Sequence, residues 1–165
     1  MPESNHKNTI PAPHSDLAHA SLHHSPELIL VVDDDANVRE SLSDVLIQEH
    51  YTVKLAYDGR EAVRQFLDGP PDLILLDVNM PDITGWQAFQ ILAQLYPFVP
   101  VIMITARPGQ FRRAAELGVN AFMEKPLDIP LLLRTIRELL THPDSAHFAK
   151  VLRSWNTNDQ WGAQG

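Results

Sequence analysis

Five short apolar runs lie along the middle of the chain, and each is followed by a stretch of mixed polarity. The runs are rich in β-branched residues and carry little charge, which is typical of strands buried on both faces of a sheet. The predicted strands are Leu28–Val32, Thr52–Ala56, Leu73–Leu76, Val101–Ile104 and Ala121–Met123.

The stretches that follow these runs place apolar residues three or four positions apart, as amphipathic helices do. The predicted helices are Val38–Glu49, Ala62–Leu67, Trp86–Ala93, Arg112–Leu117 and Ile129–Leu140. Helix-breaking residues limit three of them. The second ends at Gly69-Pro70-Pro71, the third must end before Pro97 or Pro100, and the fourth stops at Gly118.

This alternation amounts to five strand–helix units. Continuously apolar strands that alternate with amphipathic helices predict an α/β fold with a parallel sheet covered on both faces. Right-handed crossovers leave few alternatives to a doubly wound sheet. In such folds the ligand site lies at the carboxyl ends of the strands.

The composition and charge of the chain exclude several classes of function. The chain has 165 residues, a formal net charge of -8 and no cysteine. An acidic balance argues against a nucleic-acid partner, and the lack of cysteine excludes disulfides, thiol catalysis and cysteine-ligated metals. Because no apolar run approaches the length of a membrane-spanning helix, we expect a soluble, cytoplasmic protein with no membrane partner.

The hydrophobic pattern predicts one folded domain, residues 26–141, between two extensions. Residues 1–25 are rich in His, Pro, Ser and Asn, and we expect a mobile tail there. Its histidines follow no metal-binding spacing, which favours a solvated leader over a metal site. In residues 142–165 four apolar side chains occur at helical spacing. Three interpretations of this segment stay open, namely packing on the domain, binding in a groove of a partner, and disorder. The four side chains are Phe148, Val151, Leu152 and Trp155.

Charged and hydroxyl side chains follow four of the five predicted strands at the point where each strand ends. They are Asp33-Asp34-Asp35, Asp77, Thr105 and Lys125. Because the carboxyl ends of parallel strands share one edge of the sheet, we expect these side chains to converge. Any one of them alone is typical of a turn or a helix cap, a role that suits Asp35. Their occurrence together, in order, favours a shared site.

The chemistry of this set points to phosphoryl transfer. Asp33, Asp34 and Asp77 would crowd three carboxylates, and a hard divalent cation, Mg²⁺ or Mn²⁺, would offset their repulsion. Lys125 would pair with a carboxylate or a phosphoryl oxygen, and Thr105 would donate a hydrogen bond to another. Asp77 is the predicted nucleophile, because carboxylates accept phosphoryl groups as acyl phosphates.

Four segments together resemble the receiver domain of two-component response regulators, over nearly all of the predicted domain. They are Ile29–Asp35, Leu73–Asp82 with Gly85, Ile102–Ala106 and Ala121–Pro126. The resemblance implies a flavodoxin-like, doubly wound five-stranded parallel sheet with strand order 2-1-3-4-5 and helices on both faces.

The resemblance also implies a role for each matching residue. Asp77 matches the phosphoacceptor, which receives its phosphoryl group from a histidine kinase or a phosphotransfer domain. Thr105 and Lys125 match its catalytic partners. The implied ligands of Mg²⁺ (or Mn²⁺) are Asp33, Asp34, Asp77 and the backbone carbonyl of Asn79.

The resemblance assigns the switch to Thr105 and Phe122, and it implies a cis bond before Pro126. Phe122 departs from the tyrosine of many receivers, so it has no hydroxyl to hydrogen-bond when it turns outward. Asn79 and Arg107 stand at positions that tune the lifetime of the acyl phosphate. Arg107 either covers the phosphoryl group or is a plain surface residue, and Arg107→Ala tests this through the dephosphorylation rate.

The short chain beyond Leu140 predicts a stand-alone receiver with no DNA-binding output domain. Its output would be contact with a downstream protein, as a monomer or a phosphorylation-dependent dimer. We expect a switch and not a conventional enzyme. Two alternatives remain. One is a pseudo-receiver that binds partners without phosphorylation, and the other is a haloacid-dehalogenase-like phosphatase, whose opening motif Asp33-x-Asp35 superficially fits.

Overall fold

A computed structural model describes residues 25–142, in which five strands alternate with five helices. The elements are β1 (Leu28–Val32), α1 (Ala36–Gln48), β2 (Thr52–Ala56), α2 (Gly59–Asp68), β3 (Leu73–Asp77), α3 (Gly85–Leu95), β4 (Val101–Thr105), α4 (Phe111–Leu117), β5 (Ala121–Glu124) and α5 (Ile129–Thr141). Every predicted element is confirmed.

None of these helices has the length and apolarity needed to cross a membrane. The expectations for the histidine-rich segment and for Phe148, Val151, Leu152 and Trp155 lie outside the described residues.

The strands form one parallel sheet in the order β2-β1-β3-β4-β5, which confirms the expected topology. β1 lies between β2 and β3, with Val32 opposite both Ala56 and Leu76. β3 pairs on its other side with β4, where Asp77 is opposite Ile104. Because all five strands run in one direction, the loops after β1, β3, β4 and β5 emerge at the same edge of the sheet.

Helices cover both faces of this sheet. Successive strand side chains point to opposite faces, so Ile74 and Leu76 pack with α2, α3 and α4, while Leu73 and Leu75 pack with α1 and α5. All five residues of β3 are buried. Burial of a large aliphatic side chain contributes about 1.5–3 kcal/mol. The central strand therefore holds Asp77, its last residue, in a rigid position.

Local signals determine where the helices begin and end. Asp35 caps α1 by accepting a hydrogen bond from the Asn37 backbone N–H at 2.8 Å, which confirms the role predicted for it. Thr84 and Gln87 form a capping box at the start of α3. Gly118 ends α4 with a φ of 73°, a left-handed conformation that glycine adopts without a Cβ clash. The loops after β1 and β3 are thus anchored at both ends.

Candidate functional site

Two buried carboxylates and one ammonium group meet at the carboxyl edge of the sheet. Asp33 follows β1 and Asp77 ends β3, and their exposed fractions are 2% and 3%. The Nζ atom of Lys125, in the loop after β5, lies 2.8 Å from Asp33 Oδ2 and 2.9 Å from Asp77 Oδ1. The sheet topology thereby joins three segments that are far apart in the sequence, as the strand-end pattern predicts.

The environment of Asp77 disfavours its charged form. Burial raises the pKa of Asp77, the Asp33 carboxylate raises it further, and the ion contact with Lys125 only partly opposes this. Burial lowers the pKa of Lys125, but its hydrogen bond to Asp33 and its ion contact with Asp77 together outweigh burial and raise the pKa above its usual value. The lysine is therefore fully charged at neutral pH, and its positive charge offsets the repulsion between the two buried carboxylates.

The two oxygens of Asp77 have different surroundings. Oδ2 accepts a hydrogen bond from the Asn79 backbone N–H at 2.6 Å. Oδ1 has its ion contact with Lys125 but no hydrogen bond of good geometry, and among the buried side-chain nitrogen and oxygen atoms of residues 25–142 it is the only one without a hydrogen bond. An incompletely satisfied carboxylate oxygen suits a group that bonds to a metal or to phosphorus.

Asp34 occupies a different position from the acid pair. It is exposed, and it lines a cavity of about 1000 Å³ together with Asn79 and Arg107. No group of three or more Asp, Glu, His or Cys side chains suited to a metal ion occurs in the described part of the chain. Of the three carboxylates expected in one crevice, the structure joins Asp33 and Asp77 through Lys125 and leaves Asp34 at the adjoining rim. The carboxylates of this region offer only oxygen atoms as metal ligands, which fits a hard cation.

Thr105 connects the ends of β3 and β4. It is fully buried, and its Oγ1 atom accepts hydrogen bonds from Asn79 Nδ2 and from the Arg107 backbone N–H, each at 3.0 Å. The resemblance implies two roles for Asn79, one as a metal ligand through its backbone carbonyl and one in tuning the lifetime of the acyl phosphate. It does not predict the hydrogen bond from the side-chain amide to Thr105. No local pattern signals this contact between residues 26 positions apart.

Phe122 is buried, with an exposed fraction of 5%. It stacks on Trp86 with ring centroids 6.2 Å apart, and it forms a T-shaped contact with Phe111 with ring centroids 6.4 Å apart. Trp86 was predicted only as an apolar residue of the third helix. Its place in the first turn of the helix after the Asp77 loop was the one signal that it borders the site. The peptide bond between Lys125 and Pro126 is cis, as expected.

Residues 29–137 match the model of the response regulator receiver domain. The chain belongs to this family. A similar protein is the response regulator MprA of Mycolicibacterium vanbaalenii, which is 41% identical over 123 residues covering 72% of this chain and 53% of that protein. The receiver chain thus spans about half the length of the curated relatives it matches.

Solved receiver structures share the fold. A CheY-like receiver domain protein from Methanospirillum hungatei superposes with a TM-score of 0.69 at 28% identity, covering 72% of this chain and 97% of that one. TrrA from Thermotoga maritima, crystallised in complex with Mg²⁺-BeF, has a TM-score of 0.65 at 29% identity, covering 68% and 98%. The flavodoxin-like fold is confirmed. Receiver domains are phosphoacceptors of two-component signalling that bind Mg²⁺ at the phosphorylation site.

Proposed function

We propose that this receiver accepts a phosphoryl group on Asp77 from the phosphohistidine of a histidine kinase or phosphotransfer domain. The observation that carries the proposal is the contact of the buried Asp77 with Lys125, which also holds Asp33. A carboxylate oxygen of Asp77 attacks phosphorus, the phosphorus–nitrogen bond to the donor imidazole breaks, and an aspartyl phosphate forms. Receiver residues are 26–141, with 1–25 and 142–165 as flanking segments.

Each neighbouring residue has a role in this transfer. Lys125 neutralises charge on a phosphoryl oxygen, and the Thr105 hydroxyl donates to another. Asp33, Asp34, Asp77 and the Asn79 carbonyl would hold Mg²⁺ or Mn²⁺. When bound, the cation supplies charge neutralisation for the transferring group.

The output we propose is a change in a protein-interaction surface that acts on a downstream protein in the cytoplasm. Because Asn79 Nδ2 and the Arg107 N–H both bond to Thr105 Oγ1, movement of Thr105 toward a phosphoryl group breaks contacts that link two loops. Thr105 and Phe122 form the switch pair. The switch shifts a population between two surface conformations, and turnover of a separate substrate is not its function.

Phosphorylation with acetyl phosphate and Mg²⁺, followed by intact-mass measurement, tests the proposal. We expect one added phosphoryl group on the unaltered protein and none on Asp77→Asn. Asp82→Asn is the matched control, because Asp82 lies in the same loop with a φ of 59° that asparagine also tolerates.

The alternatives predict different results, the first in this experiment and the second in a separate assay of phosphate-ester hydrolysis. Absence of acyl phosphate on the unaltered protein would support a phosphorylation-independent pseudo-receiver. Sustained hydrolysis of a phosphate ester would support a haloacid-dehalogenase-like phosphatase.

A further inference from the structure

Trp86 belongs to an aromatic cluster centred on Phe122, and the proposed function does not use Trp86. Its exposed fraction is 4%. The indole stacks on Phe122 with an interplanar angle of 15°, while Phe111 meets Phe122 at 73°. The Phe122 ring, which comes from β5, is therefore in contact with one ring from α3 and one from α4.

Phe122 lies on the same face of the sheet as Thr105. Its register partner on β4 is Met103, and Thr105 is two residues further along that strand, so both strand side chains point toward the α3–α4 layer. Both Phe122 and Thr105 are buried. In a close-packed interior, displacement of Thr105 changes the space available to its neighbours on that face.

Two contacts join Trp86 to α4. Its Nε1–H donates a hydrogen bond to Gln110 Oε1 at 3.1 Å, and the Arg113 guanidinium carbon lies 4.8 Å from the centroid of the indole. α4 has only seven residues, and Gln110, its N-cap, makes no side-chain capping bond. Because so short a helix is marginal by itself, its position depends on contacts of this kind.

We propose that Trp86 is a positioning residue that couples the Thr105–Phe122 pair to α4 through Gln110 and Arg113. The inference rests on the proposed function, because phosphorylation of Asp77 is the event that displaces Thr105. Gln110 and Arg113 also line the cavity beside the phosphoacceptor loop. The surface that responds to phosphorylation is then the α3–α4 face around Trp86.

Beryllofluoride with Mg²⁺, used as a stable phosphoryl analogue, allows the coupling to be measured. Fluorine NMR reports whether Asp77 is occupied, and hydrogen exchange of the backbone amides of residues 111–117 reports the state of α4. In the unaltered protein we expect binding to change these exchange rates by roughly five- to 150-fold, the range that coupling energies between linked sites span. Gln110→Ala and Arg113→Gln should reduce that change at equal occupancy of Asp77.

Arg112→Gln is the matched control, because Arg112 is an exposed neighbour in α4 that does not line the cavity. It should retain the full change in exchange. An equal change in all variants at full occupancy overturns the coupling while leaving the proposed function intact. No bound beryllofluoride in the unaltered protein overturns both. Trp86→Leu removes the ring stacked on Phe122 together with both contacts to α4 and should also reduce the change; if this variant fails to fold, the Gln110 and Arg113 variants decide.

Discussion

Lys125 is the residue that makes two buried acids compatible with a folded domain. Its side chain is 26% exposed, whereas those of Asp33 and Asp77 are each 3% exposed. A buried carboxylate pair without a cation carries both a desolvation penalty and mutual repulsion. In the proposed transfer the same ammonium group neutralises a phosphoryl oxygen, so one residue would serve both the stability and the chemistry of the site.

Lys125→Met is expected to lower the free energy of unfolding at neutral pH by roughly 1–3 kcal/mol, less than for a fully buried pair because the lysine is partly solvated. The loss should shrink as the pH falls. In the variant, the buried Asp77 carboxylate has lost its cation and destabilises the fold. This effect exists above the pKa of Asp77, which is already raised, and disappears once the carboxyl is protonated. Denaturant unfolding in a metal chelator at neutral and mildly acidic pH measures this. A loss independent of pH contradicts the explanation, and Lys125→Met with Asp77→Asn should restore most of the stability.

Arg107 acts on Thr105 and on the cavity through different atoms. Its backbone N–H bonds to Thr105 Oγ1, while its exposed side chain lines the cavity beside Asn79. Arg107→Ala keeps the first contact and removes the second. We expect several-fold faster loss of the acyl phosphate, because water then reaches the phosphoryl group more freely.

The measurement is the decay of phosphorylated protein after the donor is removed, followed by intact mass. Arg112→Ala controls for the loss of one positive charge from the same part of the surface. A rate equal to that of the unaltered protein would show that Arg107 is a plain surface residue.

At the scale of elements, the start of α3 is packed directly against the end of β3. The Gly85 backbone N–H donates to the Val78 carbonyl at 3.1 Å. A Cβ atom at Gly85 would clash with the Asp77 carbonyl oxygen and would lie 2.7 Å from Val78 Cα. Both neighbours are backbone atoms that cannot move aside, so this close approach requires glycine.

Gly85→Ala is therefore expected to destabilise the domain by roughly 2 kcal/mol or more and to slow phosphorylation of Asp77, because α3 or the Asp77 loop must shift. Thermal unfolding and the phosphorylation rate measure the two effects. Gly69→Ala is the matched control, since a Cβ there would meet only the mobile end of Lys54 at 3.6 Å. Equal stability of the two variants would contradict the role of this close approach.

The element pattern was predictable because it rests on local properties. Leu73–Asp77 is apolar up to its last residue because both faces of the central strand are buried. α1 begins after Asp35 because an aspartate cap satisfies a free backbone N–H. The packing of Gly85 on Asp77 was not predictable, because it depends on the angle at which α3 crosses the sheet.

At the scale of the whole molecule, the acidic site links metal binding to global stability. Asp77 Oδ1 lacks a hydrogen bond and Asp77 has a raised pKa, so a cation that binds there relieves a cost present only in the folded state. Mg²⁺ at about 100 times its dissociation constant should stabilise the protein by about 2.7 kcal/mol.

Thermal unfolding with Mg²⁺ and with a chelator measures this stabilisation. Asp77→Asn should lose most of the shift, and Asp82→Asn should keep it. A shift of the same size in both variants would place the binding of Mg²⁺ elsewhere on the molecule.

The sequence by itself determined the order and type of the elements, the family resemblance and the residue types at each strand end. These follow from periodicity, buried composition and capping, which are properties of neighbouring residues. Only the tertiary structure decided that Lys125 lies between Asp33 and Asp77, that the Asn79 amide binds Thr105, and that Asp34 is exposed and lines the adjoining cavity. Such contacts join residues distant in the chain, and their geometry depends on how the sheet and its loops pack together.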